Sequence, residues 1–121
     1  MKILETLIPI VTADLEAAIK RYRALTGEDV AARFDVPELG ITIARVGTFA
    51  LISGAEPATE LMRPVRVTFA VDSVREFQAS LESLGFAILQ PPTRRTTGIN
   101  MLVGDPDGGV FEFVQTRRSG P

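Results

Sequence analysis

One apolar helical stripe occurs twice in this chain at a fixed spacing. Leu15, Ala18, Tyr22 and Leu25 recur as Val74, Phe77, Leu81 and Leu84, each 59 positions further on. Both sets advance by three and four residues, the period of an amphipathic helix with one buried face. The same shift sets Leu7 on Arg66, each in the strand before its helix. In the last strands, Thr48-Phe49-Ala50-Leu51 falls on Val110-Phe111-Glu112-Phe113 at a spacing of 62. A chain that repeats a whole supersecondary unit must satisfy two copies of one packing problem. The competing reading is an ordinary α+β sandwich whose halves are similar by accident.

Taken in order, residues 4–11 predict a strand, and Thr12-Ala13-Asp14 supplies N-cap chemistry for the first helix. Gly27 ends that helix, and strands follow over 30–36, 41–46 and 49–53. Residues 55–63 hold little periodicity and read as a linker. A strand over 65–71 leads to Ser73 and Glu76, a capping box for the second helix, which Gly85 ends. Residues 86–89 are a strand broken by Pro91-Pro92, 99–103 the next, and the last follows the Asp105-Pro106-Asp107-Gly108 turn. The fold class expected is α+β, two βαβββ modules. Module 1 covers residues 1–54, the linker 55–63, module 2 64–116, and a flexible tail 117–121.

Several chemistries are excluded outright. There is no cysteine and no histidine, so thiolate nucleophiles, Ser-His pairs and the commonest metal ligand are all missing. A net charge of −2 gives no basic stripe for nucleic acid, and Arg94-Arg95 and Arg117-Arg118 read as short solvated pairs. No apolar run spans a membrane, and Glu5 and Asp14 interrupt any secretion signal. No phosphate-binding glycine loop occurs. A cytoplasmic protein that binds neither nucleic acid nor membrane is expected.

The last strand carries the conspicuous residue. Glu112 stands among Val110, Phe111, Phe113 and Val114, where a carboxylate is unexpected unless its face meets water, a ligand or a metal. Together with Val11-Thr12-Ala13-Asp14-Leu15 plus Tyr22, and Phe69-Ala70-Val71-Asp72-Ser73-Val74, the stretch from Asp105 to Glu112 resembles the vicinal oxygen chelate superfamily. That superfamily includes glyoxalase I, extradiol dioxygenases, and the fosfomycin- and bleomycin-resistance proteins.

The resemblance implies two βαβββ modules whose strands curl around a cavity. In metal-dependent members four residues, typically His, Glu or Gln, reach inward from the first and last strand of each module. Those positions fall here on Leu7, Ala50, Arg66 and Glu112, of which Glu112 alone is a plausible ligand. One carboxylate beside an arginine does not make a dedicated divalent-ion site. No metal and no cofactor is therefore expected, and Arg66 is expected to face Glu112 in place of an ion. Strand alternation adds Thr68, Asn100 and Leu102 to the inward, ligand-binding set, with Phe49, Phe69, Phe111 and Phe113 packed under the helices.

The function expected is metal-free binding of a small molecule. One form is bleomycin-resistance-like sequestration of an antibiotic or an aromatic or anionic ligand; the resemblance adds a homodimer. The alternative is an enzyme, a glyoxalase-like lyase or isomerase, with Glu112 as general base or with a non-standard metal site. An interaction domain without a small ligand is the third reading.

Overall fold

The computed structural model describes residues 1–116, so the tail and Arg117-Arg118 lie outside the described residues. The elements run β1 (Ile3–Val11), α1 (Leu15–Thr26), β2 (Val30–Val36), β3 (Ile41–Val46) and β4 (Phe49–Gly54). After α2 (Ala58–Met62) come β5 (Val65–Val71), α3 (Val74–Ser83), β6 (Ala87–Arg95), β7 (Gly98–Gly104) and β8 (Val110–Thr116). This is the α+β fold of two βαβββ modules. The chain forms two compact units, one of Leu7–Pro64 and one of Val65 onward together with Met1–Thr6. None of the described helices is long and apolar enough to cross a membrane.

In the N-terminal unit the strands lie in the order β2-β3-β4-β1, with β1 parallel to β4 and the other pairs antiparallel. The Asp14 side chain accepts a hydrogen bond from the Ala17 N–H (3.1 Å) and starts α1. Gly27 closes the helix in the left-handed conformation, returning its N–H to the Arg23 carbonyl. Leu15, Ala18 and Ile19 of α1 are buried against Ala44, Val46 and Leu51, and Tyr22 packs on Phe49. Leu25 departs from the expected stripe: it is 69% exposed, because it lies in the last turn beyond the sheet residues that bury the rest.

The linker is structured. Residues 58–62 form a helical turn whose Ala58 is buried, with Val36, Ile41 and Ile52 in one cluster and Ile43 and Met62 at its edge. Ile43 pairs with Ile52 and Arg45 with Ala50 across β3 and β4, so α2 rests on the face opposite α1. Pro57 within this segment and Pro64 beside it hid a short helix whose apolar side is only two residues wide.

In the C-terminal unit the order is β5-β8-β7-β6, again with one parallel pair, β5 and β8. The Ser73 side chain accepts from the Glu76 N–H (3.3 Å), the N-terminal half of the expected capping box. Val74 and Leu81 of α3 are buried with Val71, Met101, Val103 and Phe113, and Phe77 packs on Phe113 with ring centres 5.3 Å apart. Leu84, the repeat partner of Leu25, is likewise exposed.

Pro91-Pro92 does not break the strand. β6 runs through both prolines, with register shifts on either side of Gln90. It is a terminal strand in the sheet order, where missing N–H donors cost no ladder bond. The first six residues join this unit through the Lys2 N–H, which donates to Asp72 Oδ1 (2.8 Å), and the Asp72 N–H, which donates to the Lys2 carbonyl (3.1 Å).

Candidate functional site

β5, β8, β7 and β6 each place one polar side chain or more on a single sheet face. Thr68 lies beside Glu112 in the parallel pair, and Leu102 lies opposite Glu112 in the antiparallel one. Thr93 pairs with Asn100 in turn. Met101, Val103 and Phe113 alternate to the other face, under α3. A single apolar or polar choice at every second residue therefore separates core from site.

These side chains form a chain of hydrogen bonds. The Thr68 hydroxyl donates to Glu112 Oε1 (2.9 Å) and the Asn100 amide donates to Glu112 Oε2 (3.3 Å). Asn100 Oδ1 accepts from Arg95 Nε (3.1 Å) and from the Gln90 amide (3.2 Å). Thr93 donates to the Pro91 carbonyl (2.8 Å), which fixes the bulged segment from which Gln90 and Arg95 extend. Glu112 keeps some exposed surface as a residue, but its carboxyl lies deep among protein atoms. Burial pushes that carboxyl above the ordinary glutamate value, opposed by the hydrogen bonds from Thr68 and Asn100 and by the charge of Arg95.

Of the expected residues, Thr68, Asn100, Leu102 and Glu112 come together here. Arg66 does not. The β5 register slips between Val65 and Val67, so Arg66 is the residue passed over, is exposed, and makes no pair with Glu112. Thr68 takes the expected position beside the carboxylate. Leu7 and Ala50 belong to the N-terminal unit, where both are buried apolar residues, 6% and 7% exposed. Arg95 and Gln90 were missed. Arg95 stands in a pair that reads as solvated, and Gln90 precedes two prolines that read as a strand break; the register shifts on either side of Gln90 bring both to this face, and simple alternation does not reveal them.

The metal that metal-dependent relatives would hold finds no donor set here. Among the described residues no three His, Cys, Asp or Glu side chains come together, and Glu112 has an amide and a hydroxyl as neighbours. Glu112 is the sole carboxylate of this hydrogen-bonded network, short of the several donors a dedicated ion site needs.

Residues 2–113 match the family described as the Glyoxalase/Bleomycin resistance protein/Dioxygenase superfamily. The chain belongs to this superfamily. An uncharacterized protein from Methanosarcina mazei is 40% identical, with a TM-score of 0.85 over 96% of this chain and 94% of that one. Methylmalonyl-CoA epimerase from Mycobacterium tuberculosis is 16% identical, with a TM-score of 0.73 over 94% of this chain and 89% of that one. A methylmalonyl-CoA epimerase in complex with methylmalonyl-CoA and NH4+ is 19% identical, with a TM-score of 0.75 over 99% of this chain and all of that one. At such identities the epimerases share the fold with this superfamily member. No curated protein sequence matches the chain.

Proposed function

We propose that this member of the superfamily binds a small molecule without a metal, on the face carrying Glu112. The observation that carries the reading is the hydrogen-bonded chain Thr68–Glu112–Asn100–Arg95. It holds the carboxylate with neutral donors, where a metal-dependent site would supply further carboxylates or imidazoles. Leu102 beside it, buried, gives the face an apolar floor, the usual make-up of a small-ligand site. Sequestration of an antibiotic or an aromatic acid is the form this reading takes; a cytoplasmic homodimer is part of it, checked by light scattering.

Metal analysis of the purified protein is the first test, and a stoichiometric divalent ion would overturn the metal-free reading. A thermal-shift screen of antibiotics, aromatic acids and thioesters is the second. A ligand at about 100 times its Kd raises stability by roughly 2.7 kcal/mol, which such a screen resolves. Silence across the screen favours an interaction domain.

A second reading has its own observation: a carboxyl whose proton affinity is raised by burial is suited to take and return a proton. Thr68 and Asn100 orient Glu112 as a base, and Arg95 lends positive charge through Asn100. The likeness to the epimerases makes methylmalonyl-CoA the first substrate to try. Uptake of deuterium from heavy water into that thioester, lost in Glu112→Gln, supports the enzyme reading; no uptake removes it for this substrate.

A further inference from the structure

We propose that Arg95 is the anion-binding residue of this face and that the site takes the carboxylate of a small organic acid with an apolar body. The inference rests on the reading of the face as a small-molecule site and adds the residue that recognises the ligand and the group it recognises. Arg95 spends its Nε–H on Asn100 Oδ1, which fixes the plane of the guanidinium. Its terminal NH2 groups make no hydrogen bond among the described residues, and no carboxylate there forms an ion pair with it. Glu112 is reached only through Asn100, so the one acid of the network leaves the guanidinium fork unpaired.

A half-buried guanidinium, anchored at one nitrogen and with two that bond no described residue, matches the two oxygens of a carboxylate. Gln90 strengthens the fit: its amide donates to the same Asn100 oxygen, so Asn100 is held from two sides and cannot turn away from Arg95. The apolar part of the acid then lies toward Leu102 and Val114, which share the face with Asn100 and Glu112. A compact neutral molecule of the same shape would leave the fork unmatched.

The test uses full-length, isotopically labelled protein with sodium benzoate and its neutral isostere benzamide as probes. Saturable shifts of the Arg95 side-chain N–H resonance with benzoate are expected, with benzamide binding about tenfold more weakly or less. Arg95→Gln should abolish the preference for benzoate. Arg95→Lys keeps the charge without the fork and should weaken benzoate binding yet retain some preference, which guards against a variant that fails to fold. Equal binding of the two probes, or a preference that survives Arg95→Gln, overturns the inference and leaves the small-molecule reading standing. No binding of either probe also overturns it, and the broader reading is then judged by its own screen and metal analysis.

Discussion

At the scale of single residues, Glu112 sets the pH behaviour. Its pKa is raised in the folded protein, so the fold favours the protonated form. The stabilising contribution is complete below the unfolded glutamate value of about 4.3 and is lost as pH rises through the folded value. Glu112→Gln removes the charge that burial disfavours. The Gln carbonyl can accept from Asn100 while its amide donates to the Thr68 oxygen, so both contacts persist with the Thr68 bond reversed. Unfolding by urea at pH 8 should show this variant as stable as the parent or more so, with the difference shrinking toward pH 5. Asn100→Ala acts oppositely. It strips partners from Arg95, Gln90 and Glu112 together, and thermal unfolding should show a loss of about 1–3 kcal/mol. Carbon-detected titration of that variant should place the Glu112 pKa higher still, because one of the bonds that lowers it is gone.

At the scale of elements, β5, β7 and β8 of the C-terminal unit bury one face under α3. Phe113 is 4% exposed and meets Phe69 and Phe77 at ring separations of 5.2 and 5.3 Å. Phe113→Ala should cost about 3–5 kcal/mol by denaturant titration, whatever its neighbour Glu112 does. Gly98 has φ of 146°, and a Cβ there would stand 2.0 Å from the Gln115 carbonyl oxygen. Gly98→Ala should therefore open the β7–β8 pairing at its end and disturb Arg95, its cross-strand partner in β6. Loss of amide protection in residues 95–100 by hydrogen exchange would register it, and intact protection would count against the close approach.

At the scale of the molecule, the two modules were legible because helix stripes and last strands repeat at near-constant spacing. Backbone irregularity was not legible. A register slip at Arg66 exchanged it for Thr68, since alternation counts residues and cannot see which one a bulge passes over. The prolines of β6 looked like a break because strand propensity ignores whether an edge needs its N–H groups. Arg95 went unread for the same reason. Asymmetry between the halves was half visible: Ala50 against Glu112 announced it, whereas the α2 cover over Ile43 and Ile52 did not. One module thus buries this face under α2, whereas the other carries the Glu112 hydrogen-bond network on it.

The bond between Lys2 and Asp72 spans 70 residues of chain and lies within the unit that Met1–Thr6 shares with Val65 onward. On a ribosome adding about 5–20 residues per second, Lys2 and its neighbours wait roughly 4–14 s for their partner. During that interval Ile3 and Leu4, both about half exposed even in the finished fold, have no sheet to complete. A segment made 70 residues ahead of its partner is thus among the last to find its place, and a chaperone that holds short exposed apolar segments would meet this chain in that window.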